Sequence, residues 1–140
     1  MSNKDEGRRR IKSVDRAFRI LGVLKEEGSS GVTDVANELD MSKGSVHTYL
    51  STLKQHGAVM EYNGKYRLGL QLLEIGEFAK RQNLVYQCAQ DPLDELATET
   101  GELARLVVQE QGHGVYLYKI SLSSDRRAEF YSTRLSDDPS

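Results

Sequence analysis

Two short helical patterns lie close together in residues 33–56, and only Asp40 and Met41 separate them. The first pattern begins at Thr33 and the second at Ser42, and both residue types are good helix N-caps. The apolar positions that recur at helical spacing are Val35, Ala36 and Leu39, then Val46, Leu50 and Leu53. The spacing predicts a helix-turn-helix, with Asp40 in a positive-φ conformation that Asp tolerates better than most residues.

The second helix has small, polar and cationic side chains off its core face. These residues are Lys43, Gly44, Ser45, His47, Thr48 and Ser51. Such a surface fits the major groove of DNA, which is roughly 12 Å wide, and a helix N-terminus also favours phosphate. The pattern therefore predicts DNA binding, although a plain αα-hairpin with solvated polar residues would also produce it.

Each of these residues has a predicted role at the DNA. Ser45, His47 and Thr48 are the candidates for contacts to base edges, while Lys43 is expected to contact a phosphate. Gly44 would let the helix approach the DNA backbone closely. The remaining members of the predicted DNA-binding set on these two helices are Thr33, Ser42 and Ser51.

A predicted β-hairpin follows the second helix. Gly57 suits a left-handed residue that ends a helix, and Asn63-Gly64 is the strongest short signal for a type I′ turn between residues 58–62 and 65–68. A hairpin after a recognition helix defines a winged motif. The wing would present Asn63, Lys65 and Arg67 to the sugar-phosphate backbone, although a hairpin with an ordinary polar tip is the alternative.

Charge is distributed unevenly along the 140 residues, whose net charge is −2. Residues 1–82 contain 14 Lys and Arg against 11 Asp and Glu, whereas residues 83–140 contain 5 against 10. The front part is therefore mildly basic and the rear part acidic. This asymmetry fits a chain in which only the front part contacts phosphate.

Composition excludes several classes of protein. Apolar residues make up 38% of the chain, but no run approaches the length of a membrane span, so no membrane association is predicted. Residues 1–12 are polar and basic without an apolar signal segment, which predicts a cytoplasmic protein. Cys88 is the only cysteine and is expected to be a buried structural thiol. The three histidines show no ligand spacing, so neither a metal nor a cofactor is predicted.

Catalysis is not predicted. Two acidic clusters, one over residues 91–99 and one at Asp137-Asp138, could be read as acid–base pairs, but a solvated helix face has the same spacing. Neither a nucleophile–base arrangement nor a glycine-rich phosphate loop accompanies them. A winged domain that binds another protein is a second alternative to DNA binding.

The rest of the chain is predicted from caps, periodicity and glycines. Residues 1–12 read as a basic disordered arm, which could follow DNA or stay solvated. A helix over 13–27 would be capped by Ser13 and would bury Val14, Ala17, Phe18, Leu21 and Leu24. Residues 13–68 then form the winged domain and 69–82 a linker helix. The wide apolar surface of this helix would pack against two bodies, the winged domain and a partner subunit; the alternative is a helix buried within one protomer.

Residues 83–140 are predicted to form a small second domain. A helix over 84–100 contains Pro92, which must lie near a helix start or make a kink. A hairpin follows at 102–110 and 114–120, and residues 128–135 are at best one more short strand. So few elements make a poor independent core, and the domain looks incomplete.

Five segments carry a resemblance to a known family: 14–21 (VDRAFRIL), 31–36 (GVTDVA), 42–50 (SKGSVHTYL), 64–69 (GKYRLG) and 93–102 (LDELATETGE). Over about residues 13–120 the sequence resembles the IclR family of prokaryotic transcriptional regulators. The resemblance implies an α+β chain: a winged helix-turn-helix, a linker helix, and the first part of a GAF-like α/β effector domain. It places the recognition helix at 42–56 and the wing at 58–68.

Family membership would also imply partners. Such regulators bind a double-stranded palindromic operator as repressors or activators, as homodimers or homotetramers, and a small-molecule effector is expected for a full-length form. Family members run longer than this chain. It is therefore expected to be either a fragment or a short form that has lost effector sensing.

Overall fold

The computed structural model describes residues 8–121 and 132–134, and the chain divides into two compact units, residues 1–75 and 76–140. The fold is α+β, as predicted. The elements of the first unit are α1 (Lys12–Glu27), β1 (Ser30–Gly31), α2 (Val32–Leu39), α3 (Lys43–Gln55), β2 (Val59–Tyr62) and β3 (Lys65–Leu68). The strands pair antiparallel in the order β1-β3-β2.

Helices α2 and α3 form the predicted helix-turn-helix. Asp40 has φ 52° and ψ 51°, the left-handed conformation expected for it, and the Met41 N–H donates to the Ala36 carbonyl at 2.9 Å. Ser42 caps α3, since its Oγ accepts the Ser45 N–H at 3.2 Å. The core of the unit is formed by the buried side chains of Ile20, Leu24, Val35, Ala36, Val46, Leu50, Val59 and Tyr66.

Two predicted N-caps are wrong. Helix α2 begins at Val32 with Gly31 as its N-cap, so Thr33 lies inside the first turn. The cause is β1: because Ser30 and Gly31 pair with β3, the chain passes directly from a strand into the helix. Ser13 is also inside a helix, because α1 begins at Lys12 after Ile11, which makes no side-chain cap.

The buried face of α1 was predicted correctly at Leu24 and incorrectly at Val14 and Phe18. Ile20 and Leu24 are buried, whereas Val14 is 51% and Phe18 69% exposed. Apolar residues occur on two sides of this helix, and periodicity alone does not show which side the sheet and the other helices cover. The side that includes Ile20 packs into the core, and the side that includes Phe18 remains on the surface.

The wing forms as predicted. Asn63 (φ 50°) and Gly64 (φ 75°) make the turn between β2 and β3 with the positive φ angles of a type I′ turn. At the end of α3, Gly57 has φ 74°, and its N–H donates to the Lys54 carbonyl at 3.0 Å. The Ala58 N–H donates to the Leu53 carbonyl at 2.9 Å, which completes a Schellman motif.

Helix α4 (Gln71–Arg81) contains the point at which the chain divides into units, between Ile75 and Gly76. The domain limits predicted at residues 68 and 82 stay a prediction. The elements that follow α4 are α5 (Leu84–Thr100), β4 (Ala104–Glu110), β5 (His113–Ile120) and β6 (Ser132–Arg134). The strands pair in the order β4-β5-β6, and Gln111 and Gly112 form the β4–β5 turn with positive φ.

Two predictions for the second unit can be compared with the structure. Pro92 lies inside α5, which begins at Leu84 and is capped by the Asn83 side chain, so the alternative that placed it near a helix start is excluded and the kink stays a prediction. Cys88 is exposed rather than buried. The prediction failed because a single helix on a small sheet buries little of its surface, and Ala97 is the residue of α5 that is fully covered.

The predicted arm overlaps α1. Three segments lie outside the described residues: 1–7, 122–131 and 135–140. The second contains part of the predicted strand 128–135, and the third contains Asp137 and Asp138. Arg8, Arg9 and Arg10 are exposed, and Lys12 is the first residue of α1, so the helix overlaps the predicted arm by one residue; the disordered arm stays a prediction.

Candidate nucleic-acid interface

The predicted DNA-contacting residues of α3 lie along its outward surface. Ser42, Lys43, Gly44, His47 and Thr48 are exposed. Ser45 and Ser51 are half-buried at the borders of this surface. The core face and the polar face of α3 are therefore separate, which leaves the N-terminal half of the helix open to a partner.

Side-chain hydrogen bonds fix part of this surface. The Thr48 hydroxyl donates to the Gly44 carbonyl at 3.0 Å, and the Thr52 hydroxyl donates to the Thr48 carbonyl at 3.0 Å. In this conformation the Thr48 hydroxyl proton is used within the helix, while its oxygen lone pairs and its methyl group stay available. These are the groups that would accept from an exocyclic amine or contact a thymine methyl.

A cavity of about 570 Å³ lies beside α3 on the side towards α1. Ser45, Thr48 and Thr52 line it from α3, and Val14 and Ala17 line it from α1. Two of the predicted base-contacting residues therefore border an open space with an apolar wall. Sequence reasoning did not anticipate this cavity, because it depends on the exposed side of α1.

The wing has one outward face with two cations. Tyr62 pairs with Lys65 and Met60 pairs with Arg67 across β2 and β3, so the four side chains share a face, and all four are exposed. Asn63 is exposed at the tip. Sequence reasoning found Lys65 and Arg67 but not Tyr62, which is 76% exposed next to the turn.

The inward face of the wing carries an ion pair with α3. Lys54 Nζ lies 2.9 Å from Glu61 Oε2, and Glu61 pairs across the hairpin with the buried Tyr66. The hydrogen bond and charge of Lys54 lower the pKa of Glu61, with smaller contributions from Tyr66 and His47. Burial first, and then the Glu61 charge, raise the pKa of Tyr66. No local pattern in the sequence indicated this pair, because it joins two elements.

Two further residues of the α3 surface were missed. Thr52 and Gln55 are exposed and continue the line of Gly44 and Thr48 at helical spacing towards the C-terminus. Polar, exposed residues at that spacing were the available signal. Thr33 is exposed in the first turn of α2, so it stays a candidate for contact although it does not cap the helix.

The described part of the chain contains neither a membrane-spanning helix nor a metal-binding cluster. Among residues 8–121 and 132–134, no helix is long and apolar enough to cross a membrane. Within the same residues, no three His, Cys, Asp or Glu side chains are grouped to hold a metal ion. Asp94, one of the clustered carboxylates, accepts the Tyr118 hydroxyl at 2.8 Å, which gives it a structural role.

The segment that contains this surface matches a known domain family. Residues 13–61, which contain α1 apart from Lys12, then β1, α2, α3 and most of β2, match the model of the IclR helix-turn-helix domain. The chain is 32% identical over 132 residues to the probable HTH-type transcriptional regulator ArcR of Halobacterium salinarum. It is 37% identical over 113 residues to the HTH-type transcriptional regulator XynR of Escherichia coli. The chain belongs to the IclR family.

The similarity covers most of this IclR-family chain and part of each relative. The alignments include 94% of the chain and 50% of ArcR, and 79% of the chain and 45% of XynR. The chain therefore spans about half the length of the curated relatives it matches. These relatives are named as transcriptional regulators, not as enzymes.

Solved structures of IclR proteins have the same fold. The regulator from Alicyclobacillus acidocaldarius is 27% identical, with a TM-score of 0.69 over 90% of this chain and 52% of that one. The regulator from Brucella abortus has a TM-score of 0.77 over 94% of this chain and 52% of that one, at 18% identity. At that identity the second likeness speaks for the fold alone.

Proposed function

We propose that this IclR-family chain is a sequence-specific DNA-binding transcriptional regulator that binds a palindromic operator as a homodimer. The observation that carries the proposal is the outward surface of α3: it is polar, starts at a capped N-terminus, and lies within the segment that matches the helix-turn-helix model. A helix with this surface fits the major groove. Such a protein would work in the cytoplasm with chromosomal DNA.

The proposed contacts fall into two classes. Ser45, His47 and Thr48 contact base edges, whereas Lys43 contacts a phosphate near the start of α3. Lys65 and Arg67 contact phosphates from the outward face of the wing, with Asn63 at its tip. Phosphate contacts set affinity and its salt dependence, and base contacts set sequence preference. The remaining proposed contacts are Thr33, Ser42, Gly44 and Ser51.

Exposed apolar side chains support the homodimer. Ile11, which precedes α1, is exposed together with Val14 and Phe18 on α1, and Leu70 and Leu73 are exposed around the start of α4. Exposed apolar side chains that recur at helical spacing, as Ile11, Val14 and Phe18 do, are typical of an interface. Two copies related by a two-fold axis would place two α3 helices in successive major grooves, about 34 Å apart.

A selection experiment tests sequence-specific binding. The full chain is incubated with random duplex DNA, bound molecules are recovered and sequenced, and we expect a two-fold symmetric motif with half-sites about one helical turn apart. Recovery of unenriched sequences would refute the proposal and would favour the alternative in which the winged domain binds another protein. Recovery of an asymmetric motif would refute the palindromic homodimer.

Substitutions on the selected operator test the residues. The Lys43→Ala, Arg67→Ala double variant should weaken binding to every duplex and reduce the salt slope by about 1.8, the value for two lost phosphate contacts. Thr48→Ala should change which bases are preferred. Lys25→Ala, which removes a charge from the exposed last turn of α1, is the control and should bind like the wild type. A double variant with an unchanged salt slope would refute the phosphate assignments.

Sedimentation tests the homodimer. Phe18→Arg places a charge on a side chain that is already exposed, so the fold of the unit should persist. We expect it to shift the chain from dimer to monomer. A wild type that sediments as a monomer bound to DNA would contradict the assembly. Control by a small-molecule effector, which the family resemblance implies, stays a prediction for a longer form.

A further inference from the structure

Glu61 is an acidic side chain at the edge of a surface proposed to bind DNA. It lies on the face of β2 that includes the buried Val59, and its carboxylate reaches the last turn of α3. The Lys54 ammonium group lies 2.9 Å from the carboxylate, with side-chain exposures of 53% for Lys54 and 35% for Glu61. The Lys54–Glu61 pair therefore connects α3 to the wing at a position that solvent or DNA can reach.

Lys54 continues a line of proposed DNA contacts. Lys43, His47, Ser51 and Lys54 follow one another at spacings of four, four and three residues, so they share one side of α3. The other three are proposed contacts, and Lys54 is the second cation of this line. Its ammonium group is not directed freely into solvent but is held by Glu61.

Electrostatics keep this pair ionised. The Lys54 hydrogen bond and charge lower the pKa of Glu61, and the Tyr66 hydroxyl and His47 lower it further. The same carboxylate raises the pKa of Lys54, mainly through the hydrogen bond. At neutral pH both groups carry their charges, so the pair presents little net charge to a phosphate backbone.

We infer that Glu61 is a specificity-determining residue that limits binding to non-operator DNA by holding Lys54 against the wing. The inference rests on the proposed function. Affinity for arbitrary sequences comes almost entirely from cations on phosphates, so a cation held by a carboxylate contributes little to it. An operator is bound in addition through base contacts, which require a fixed position of α3 relative to the wing. The Lys54–Glu61 bridge fixes that position at the end of α3.

Glu61→Gln tests the inference. This substitution keeps the shape of the side chain and removes its charge, so the remaining amide oxygen holds Lys54 much more weakly than the carboxylate does. Binding to a random-sequence duplex and to the selected operator is measured by fluorescence anisotropy between 50 and 200 mM salt. For random DNA we expect about threefold to tenfold tighter binding and a salt slope that is steeper by about 0.9, the value of one added phosphate contact. Operator binding should gain less, so the ratio of the two affinities falls.

Two further variants separate charge from position. Glu38→Gln removes the same charge from an exposed residue of α2, outside the wing and α3, and should leave the affinity ratio unchanged. The exchanged pair, Lys54→Glu with Glu61→Lys, restores the bridge in reverse and should return the ratio towards the wild-type value. If Glu38→Gln lowers the ratio as much as Glu61→Gln does, overall net charge is responsible and the inference is wrong.

The outcomes distinguish this inference from the proposed function. If the Lys43→Ala, Arg67→Ala variant weakens binding while Glu61→Gln leaves both the random-DNA salt slope and the affinity ratio unchanged, the inference alone is overturned. If neither variant alters binding, α3 and the wing do not contact DNA and both are overturned. Circular dichroism and thermal melting of each variant confirm that the fold is retained.

Discussion

Gly69 is the position at which one added methyl group should most disturb the first unit. Its N–H donates to the Ala58 carbonyl at 2.8 Å, where the chain leaving β3 crosses the chain leaving α3. A Cβ at Gly69 would lie 3.0 Å from the Gly57 carbonyl carbon and 3.1 Å from that of Ala58, and closer still to the Gly57 oxygen. These neighbours are backbone atoms, which no side-chain rotation can move.

The loss of unfolding free energy in Gly69→Ala can be worked out from that geometry. Overpacking costs about 1–3 kcal/mol, and a clash with backbone on a crossing strand belongs at the upper end of that range. Replacement of Gly by Ala also restricts the unfolded chain, which returns about 0.4–1 kcal/mol. We therefore expect Gly69→Ala to lower the free energy of unfolding by about 2 kcal/mol. For a unit of this size, that loss lowers the melting temperature by roughly 8–16 °C.

Urea unfolding followed by circular dichroism measures this change, with Gly22→Ala as the matched control. Gly22 lies in α1 with no atom within 4 Å of its ideal Cβ, so Ala there should stabilise the unit by roughly 0.5–1 kcal/mol through helix propensity. The two Gly→Ala changes are chemically identical and have opposite predicted signs. A Gly69→Ala variant as stable as the wild type would refute the argument from close backbone approach.

Three further predictions concern separate parts of the chain. Gly44→Ala should stabilise α3 by about 0.5–1 kcal/mol in urea unfolding, because its Cβ meets nothing within 4 Å, and should weaken operator binding if DNA approaches this backbone; unchanged binding would contradict the close approach. Tyr118→Phe should lower the stability of the second unit by about 1 kcal/mol, detected by amide hydrogen exchange, because the hydrogen bond to Asp94 is lost. Because Lys54 lowers the pKa of Glu61, the ion pair is retained above that lowered pKa and lost as pH falls through it; a carboxyl ¹³C titration should show Glu61 protonating at lower pH than it does in Lys54→Met, and equal titration midpoints would contradict the pairing.

Features that depend on local chemistry could be predicted from the sequence. Ser42 caps α3 through an N–H three residues away, and Asn63-Gly64 forms its turn because both residues accept positive φ. Asp40 takes the left-handed conformation for the same local reason. Such features need only a few neighbouring residues, so one sequence is sufficient to find them.

Features that depend on tertiary packing could not be predicted in the same way. Thr33 and Gly31 are about equally good N-caps by residue type, and pairing of Gly31 with Lys65 fixes where α2 begins. Cys88 was expected to be buried from the average behaviour of free cysteine, and its exposure follows from how little of α5 is covered. The Lys54–Glu61 bridge depends on where the wing folds back, so no spacing in the sequence indicates it.

The 13 residues of helix α3 form three surfaces: one packs into the core, one contacts the wing and one is exposed and proposed to contact DNA. Because different residues form each surface, experiments can separate the three roles. Leu50 is completely buried, so Leu50→Ala should cost about 2–5 kcal/mol of stability. Glu61 acts on the helix from the wing, so its replacement should alter the salt slope while stability changes little. Thr48 is exposed, so its replacement should alter base preference. If Thr48→Ala lowered stability as much as Leu50→Ala does, the hydrogen bond from the Thr48 hydroxyl to the Gly44 carbonyl would have a structural role. A change in operator binding alone could then no longer assign Thr48 to base contacts.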